Sequence, residues 1–214
     1  GSLVCLPQYD EVLVTYGESQ VLVAAVAESK NSNAFGFFPL TVEYRERTYA
    51  AGKIPGGFFK REGRPSEAEI LAARLIDRPL RPLFPDGFNC ETQVYCIVIG
   101  SDSDNNPDLL GLIGASASLC ISDIPWGGPV SAVRMGLIDG KPVVNPTMEQ
   151  LETSDMDLIV AVRGNDLVML EGGCREVPES VVLEAIEMAR VEAGRINQIQ
   201  LELVKAVGMT KRTF

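Results

Sequence analysis

Short apolar segments separated by turn residues fill the first half of the chain. Glu11–Tyr16 and Gln20–Val26 flank the turn Gly17–Ser19, whose length is typical of a hairpin. Two further segments, Phe37–Tyr44 and Thr92–Ile99, are also rich in strand-forming residues. Because these runs are too short for helices and are bounded by turn residues, they predict four strands.

The pattern becomes helical at three places. Ser66–Glu69 has the Ser-x-x-Glu spacing of a capping box, which begins a helix, and Pro79 is expected to end that helix. A second helix is predicted from Asn106, acting as its N-cap, to about Ser122. A long amphipathic helix is predicted from Pro178 onward.

Four more strand segments lie between the second and third predicted helices. They are Ser131–Ile138, Lys141–Asn145, Asp157–Val162 and Asp166–Leu170. A chain of 214 residues that is 46% hydrophobic can bury a core and is unlike a disordered protein. The sequence therefore predicts one α+β domain, with mixed sheets, packed helices and a C-terminal helical extension.

Composition excludes several kinds of chemistry. The chain has no histidine, and its five cysteines form no Cys-x-x-Cys pair, which argues against structural zinc and against Ser-His or Cys-His catalysis. We expect buried thiols in a reducing cytoplasm, or in an organelle matrix. No apolar run is long enough for a membrane span and no signal peptide is expected. The cysteines are Cys5, Cys90, Cys96, Cys120 and Cys174.

Basic residues are concentrated in one part of an acidic chain. The net charge is −10, yet residues 45–81 hold nine Lys or Arg against five Asp or Glu. An acidic body with one basic region indicates a local site for a polyanion rather than indiscriminate binding of nucleic acid.

The Phe-Phe-Lys-Arg segment inside this region suggests binding of single-stranded nucleic acid. Phe58 and Phe59 lie between glycines, and Lys60, Arg61 and Arg64 follow them. Aromatic rings stack on unpaired bases and adjacent cations contact phosphates. The same residues would also suit a hydrophobic plug flanked by solvated cations, and composition alone does not separate the two interpretations.

Other arginines nearby are candidate phosphate contacts. Alternation along an extended chain places Arg45 and Arg47 on one side, and helical spacing places Arg74 and Arg78 on one face. Arg81 follows just beyond Pro79. The alternative is that these arginines form salt bridges with the acidic residues of the region, Glu67, Glu69 and Asp77.

Long stretches of the chain resemble the polynucleotide phosphorylase family. The similarity is most specific over residues 37–67 and 74–88, and it continues at Asn106-Pro-Asp108, Ile113–Ala117 and Asn145-Pro-Thr147. It implies a first RNase PH-like core over residues 1–200 and the start of a helical inter-core segment over residues 201–214. The parent protein would be a polyribonucleotide nucleotidyltransferase, a 3′-to-5′ phosphorolytic exoribonuclease.

The resemblance also assigns roles and partners. The family's Phe-Phe-Arg-Arg loop narrows the channel of a homotrimeric ring and contacts single-stranded RNA, and it matches Phe58, Phe59, Lys60 and Arg61. Lys60 departs from the family arginine, keeping the charge but losing the fork geometry. RNA-degradation partners of the parent enzyme, a cytoplasmic location and no membrane contact are further expectations.

The catalytic residues of the family's second core are largely absent here. That core uses an Asp, a second Asp six positions later and a Lys two beyond, with Mg²⁺ or Mn²⁺. Leu151 and Ile159 stand at the first and third positions and only Asp157 is kept, so we expect no catalytic residue and no metal in this core. Asp155 and Asp157 have the spacing for a metal but suit solvated positions better. The family's serine loop is matched to Gly114–Ser118.

Three functions are therefore open. The first is a non-catalytic, RNA-gripping core of the parent exoribonuclease. The second is an independently active RNase PH-type enzyme using Asp155, Asp157 and nearby arginines. The third is a purely structural ring subunit.

Overall fold

One mixed sheet, one antiparallel sheet and four α-helices make up most of the described part of the chain. A computed structural model describes residues 1–6, 11–30, 37–56, 63–102 and 104–214. The predicted α+β class, with mixed sheets and packed helices, is confirmed.

The first sheet has five strands in the order β1-β2-β3-β5-β4. Strands β4 and β5 run parallel, whereas the other neighbours are antiparallel. The predicted hairpin is confirmed, with Tyr16 opposite Ser19. An edge strand, β1, was not predicted. The strands are β1 (Ser2–Leu6), β2 (Glu11–Tyr16), β3 (Ser19–Ala27), β4 (Leu40–Glu46) and β5 (Thr92–Gly100).

The second sheet is antiparallel throughout, in the order β7-β6-β8-β9. All four of its strands were predicted, although β9 runs four residues beyond the predicted end at Leu170 because it pairs with β8 as far as Met156 opposite Cys174. The strands are β6 (Ser131–Ile138), β7 (Lys141–Val144), β8 (Met156–Arg163) and β9 (Asp166–Cys174).

Two of the predicted helix ends differ from the structure. Pro79 does not end the first helix but lies inside its last turn, and a short 3-10 helix, Arg81–Leu83, follows directly. Pro107, rather than Asn106, is the N-cap of the second helix, although Asn106 Oδ1 still accepts a hydrogen bond from the Asp108 amide. The helices are α1 (Glu67–Leu80), α2 (Asp108–Ile121), α3 (Met148–Thr153) and α4 (Glu179–Val207).

Helix α2 is the centre of the molecule, and all of its residues are buried. It packs against β2, β3 and β5 of the first sheet and against β6 of the second. Gly114 permits this close packing, because a Cβ atom there would lie 2.5 Å from Cγ2 of Val23. Helix α4 covers the second sheet through three fully buried alanines, Ala185, Ala189 and Ala193, and also contacts α2.

Polar side chains connect α4 to the rest of the core. Gln200 is fully buried, and its Nε2 donates to the Val130 carbonyl at 2.9 Å and to Ser131 Oγ at 2.7 Å. Its Oε1 accepts from Ser116 Oγ at 2.7 Å. The Gln200 amide therefore links α4, α2 and the start of β6.

Residues 208–214 are not helical and lie along the end of α2. Lys211 Nζ donates to the carbonyl oxygens of Leu119, Cys120 and Ser122, where a helix C-terminus favours a cation. Arg212 pairs with Asp123. The predicted boundary between residues 200 and 201 falls within α4, and the assignment of residues 201–214 to an inter-core segment stays a prediction.

The cysteines are all free, and three of them are buried: Cys90, Cys96 and Cys120. Burial raises the pKa of the Cys120 thiol to about 12, with the nearby Lys211 opposing the shift. In the part of the chain that the structure describes, no helix is both long enough and apolar enough to cross a membrane.

The predicted capping box of α1 is confirmed and offers a test of stability. Ser66 Oγ accepts from the Glu69 amide at 3.2 Å, and Glu69 accepts in return from the amides of Ser66 and Glu46 at 2.6 and 2.9 Å. Burial alone would raise the pKa of Glu69, but these hydrogen bonds outweigh it and the pKa is lowered.

We expect Glu69→Ala to lower the free energy of unfolding by about 1–2 kcal/mol at pH 7, because two amides lose their acceptor. A lowered folded-state pKa means that the carboxylate's contribution is present above the unfolded value of about 4.3 and is lost as pH falls through the folded value. The difference between Glu69→Ala and wild type, measured by denaturant unfolding, should therefore shrink below pH 4. Glu67→Ala, an exposed change in the same turn, is the control; equal effects of the two would contradict the role of Glu69.

Candidate functional site

A groove of about 520 Å³ lies between β4 and α1 and gathers three of the predicted phosphate contacts, Arg45, Arg47 and Arg74. Arg45, on β4, and Arg47, just beyond it, both line this groove, and their predicted placement on one side of the strand stays a prediction. Arg74 faces them from α1. Apolar and aromatic side chains also line the groove, among them Val42, Ile70, Ala73 and Tyr95. Three carboxylates, those of Glu43, Glu69 and Asp77, complete the lining.

Arg45 also contacts the chain just after the Phe-Phe-Lys-Arg segment. Its Nη2 donates to the Gly63 carbonyl at 2.9 Å, and its side chain is 15% exposed. Gly63 lies two residues after the segment in the sequence, and Pro65 lines the groove. Phe58, Phe59, Lys60 and Arg61 themselves lie outside the described residues, and their predicted RNA contacts stay predictions.

The arginines of the groove differ in the contacts that they make with the rest of the chain. Arg74 is exposed and makes no hydrogen bond or ion pair with any residue that the structure describes, and the same holds for the exposed Arg64 just outside the groove. Arg45 Nε lies 3.9 Å from Glu69 Oε1, but that carboxylate is also occupied by backbone amides. A cation that forms no ion pair within the protein is available to bind a phosphate.

Two predicted phosphate contacts lie in ion pairs outside the groove. Arg78 Nη1 lies 2.5 Å from Glu171 Oε2 on β9. Arg81 binds both oxygens of Asp77 and the carbonyls of Phe38 and Leu40. The alternative interpretation, ion pairing with local acids, thus describes the Arg81–Asp77 pair, and phosphate contacts by Arg78 and Arg81 stay predictions.

The floor of the groove is a buried tyrosine. Tyr44 is 1% exposed, and its hydroxyl donates to Glu46 Oε1 at 3.2 Å. Burial raises the pKa of Tyr44, and burial likewise raises the pKa of Glu46, against the effect of the tyrosine hydrogen bond. Sequence reasoning did not identify Tyr95 as part of the groove, although its place on β5, opposite Glu43 of β4, follows from the strand pairing.

The positions matched to the family's catalytic residues lie in three different surroundings. Ile159 is 7% exposed and belongs to the main hydrophobic core. Leu151 lines a second cavity, of about 220 Å³. Asp157 is half-exposed, and its Oδ1 lies 3.6 Å from Arg134 Nε. The one carboxylate that remains is therefore held beside a cation of the chain itself.

Arg134 was not predicted and is the centre of a buried ion pair. Its Nη2 lies 2.7 Å from Asp108 Oδ2, and both side chains are almost fully buried. Burial is the largest influence on Asp108 and raises its pKa, with Arg134 opposing the shift. An arginine within the otherwise mostly apolar β6 segment was the available signal for this pair.

The match of Gly114–Ser118 to a phosphate-binding serine loop is wrong. These residues lie in the middle of α2, and Ser116 and Ser118 are fully buried. Ser116 Oγ is bonded to Gln200 and to the amide of Val130, so it has a structural role. No anion from solvent could reach these hydroxyls.

The described residues do not suit a divalent metal. Among them, no group of three or more His, Cys, Asp or Glu side chains is arranged to hold an ion. Asp157 faces Arg134 rather than further carboxylates. Mg²⁺ and Mn²⁺ sites usually combine several oxygen ligands, so the residues at this position do not fit such an ion.

In a comparison with known proteins, two family models match consecutive parts of the chain. The 3′ exoribonuclease family, domain 1, matches residues 11–125, and domain 2 of the same family matches residues 128–192. The chain is 54% identical over 203 residues to a polyribonucleotide nucleotidyltransferase of Thermomicrobium roseum, which covers 95% of the chain and 26% of that protein. A Bacillus pumilus protein of the same name is 54% identical over 200 residues, covering 94% and 28%.

The fold has a solved counterpart. The crystal structure of rice (Oryza sativa) Rrp46 superposes with a TM-score of 0.75 at 15% identity, covering 95% of this chain and 92% of that one. At this identity the likeness concerns the fold alone. The chain spans about a quarter of the length of the curated relatives it matches.

Proposed function

The chain belongs to the 3′ exoribonuclease family typified by RNase PH, and from this membership we propose that it is the first RNase PH-like core of a polyribonucleotide nucleotidyltransferase. In this role it grips single-stranded RNA while phosphorolysis of the 3′ end takes place in another core of the parent protein. The observation that carries the proposal is the groove in which Arg45, Arg47 and Arg74 meet, with Arg45 bonded to Gly63, two residues after the Phe-Phe-Lys-Arg segment in the sequence.

The charges of the groove support RNA binding. Arg74 has no partner among the described residues, and Arg45 bonds to Gly63, four residues after Phe59 in the sequence. A row of cations next to aromatic rings binds the backbone and the bases of a single strand without regard to sequence. The acidic remainder of the surface would direct RNA to this groove by repelling it elsewhere.

The absence of catalysis in this core is supported by three residues. Leu151 and Ile159 offer neither a carboxylate nor a cation, and Asp157 is paired with Arg134. Phosphoryl transfer requires charge stabilisation around the transferred group. An independently active RNase PH-type enzyme that uses Asp155 and Asp157 is therefore less well supported than an RNA-gripping core. Arg74, which is exposed and has no partner among the described residues, favours the RNA-gripping core over a purely structural subunit.

Several properties of the parent protein belong to the same proposal. They are a homotrimeric ring, use of Mg²⁺ or Mn²⁺ in the second core, association with RNA-degradation partners and a cytoplasmic or organelle-matrix location. The buried thiols are compatible with a reducing compartment.

Replacing Lys60, Arg61 and Arg74 together by Ala should weaken binding of single-stranded RNA and reduce its salt dependence. Each phosphate contact that is lost should reduce the slope of log K against log salt by about 0.7. The measurement is fluorescence anisotropy of a labelled oligonucleotide across a salt series.

Arg195→Ala is the control for the Arg74 change in the triple variant, because Arg195 is also an exposed helical cation but pairs with Glu192 on α4, away from the groove. It should leave the slope unchanged. A triple variant with the wild-type slope would mean that these cations are only solvated, and the RNA-gripping function would be wrong.

A further inference from the structure

Arg134 is a rigidly held cation at the wall of the 220 Å³ cavity. Its side chain is 13% exposed, and its backbone is fixed on both sides by Asn145. The Arg134 amide donates to Asn145 Oδ1 at 3.1 Å, and the Asn145 amide donates to the Arg134 carbonyl at 2.7 Å. The guanidinium is thus positioned before any ligand arrives.

The anion that Arg134 holds is the first residue of α2. Asp108 Oδ2 accepts from Arg134 Nη2 at 2.7 Å, and Oδ1 accepts from the Leu109 amide at 2.6 Å. Its side chain is 12% exposed. A guanidinium and a helix amide acting on two oxygens of one anion form the same pair of donors that binds phosphate groups elsewhere.

The surroundings leave room for an anion from solvent. Asp108 and Arg134 both line the cavity, whose other walls are largely apolar, with Leu109, Ile113 and Leu151 among them. Arg134 Nε is buried and has no hydrogen-bond partner, since Asp157 Oδ1 lies 3.6 Å away. With Asp108 in place, Nε of the guanidinium therefore makes no hydrogen bond and has only the long ion pair with Asp157.

We propose that the cavity contains a binding site for a small oxyanion that the chain fills with its own carboxylate. Asp108 takes the place at Arg134 that inorganic phosphate would otherwise take, and this keeps phosphate out of the core. The proposal is independent of RNA binding at the β4–α1 groove, because no residue of that groove belongs to the Arg134 pair.

Removing the carboxylate should open the site. In Asp108→Ala, inorganic phosphate should bind at least tenfold more tightly than to the wild-type chain in isothermal titration. Phosphate should also raise the melting temperature of this variant, at constant ionic strength set with chloride, while leaving that of the wild type unchanged. Adding Arg134→Met to Asp108→Ala should abolish both effects.

Asp157→Ala is the matched control, because it removes the outer carboxylate and leaves Asp108 in place; it should gain no phosphate binding. If Asp108→Ala does not fold, Asp108→Asn keeps the side-chain shape and is measured in the same way. Three results would overturn the proposal: no gain of binding in the folded Asp108 variant, the same binding in the Asp108→Ala and double variants, or Arg134-dependent phosphate binding by the wild type.

Discussion

Supplied with single-stranded RNA, inorganic phosphate and Mg²⁺, the 214-residue chain should release no nucleoside diphosphates above background. Phosphorolysis brings an anionic phosphate to an anionic phosphodiester, and a cation or metal must offset the repulsion. Ile159 is buried in the hydrophobic core and Leu151 has no charge, so neither can do so. The assay is chromatography of the products after prolonged incubation.

The expected suppression is large because two charged groups are missing at once. Preorganised charge of this kind typically contributes several kcal/mol to a transition state, and each loss of about 1.4 kcal/mol reduces a rate tenfold. Turnover should therefore be lower by several orders of magnitude than in a core that keeps the acid and the lysine.

Asp157→Asn provides the decisive control. If Asp157 only pairs with Arg134, the substitution should leave the background unchanged. Phosphate-dependent degradation by the wild type that is lost in Asp157→Asn would instead support the independently active enzyme. RNA binding can be measured on the same samples, so a misfolded preparation would be recognised.

Gln200→Ala should lower the free energy of unfolding by about 3 kcal/mol. The change leaves the buried Val130 carbonyl and the hydroxyls of Ser116 and Ser131 without their partner, and it also creates a cavity. Each buried group left unsatisfied costs about 1–3 kcal/mol, and loss of packed atoms adds to this. The measurement is unfolding in urea, analysed with one m-value for the wild type and the variant.

Gln198→Ala tests whether the effect belongs to the buried position. Gln198 lies two residues earlier on the same helix, is exposed and makes only a 3.5 Å contact with Glu202. Its replacement should change stability by less than about 0.5 kcal/mol. Similar losses for the two variants would contradict the role of the buried network, because Ala has a higher helix propensity than Gln and neither change weakens the helix itself.

Local patterns were sufficient to predict most of the fold. The hairpin, the Ser66 capping box and the second sheet all depend on residues close in sequence, and all are present. The short helix α3 was missed, although Thr147 and Gln150 form a second capping box whose spacing is readable in the sequence. Strand β1 carries no such signal, because it is a five-residue edge strand.

The site was predictable only where it depended on local spacing. Arg45 and Arg47 are two residues apart, and both line the groove. The partners of Arg81 on Phe38 and Leu40 lie more than 40 residues away, and those of Arg134 lie on α2 and β8. Such pairings follow from the packing of whole helices and strands. The spacing of residues along the chain does not predict that packing.

Helix α4 makes the two family domains a single cooperative unit. Domain 1 ends at residue 125 and domain 2 begins at residue 128, yet Ile196 packs against both hydrophobic clusters, and Gln200 bonds to Ser116 in one domain and to Ser131 in the other. Unfolding of either domain alone would leave buried polar groups of the other domain without hydrogen-bond partners in an apolar interior. The chain should therefore unfold in one transition, with slow amide exchange in α2 and in the middle of α4 governed by the same global opening.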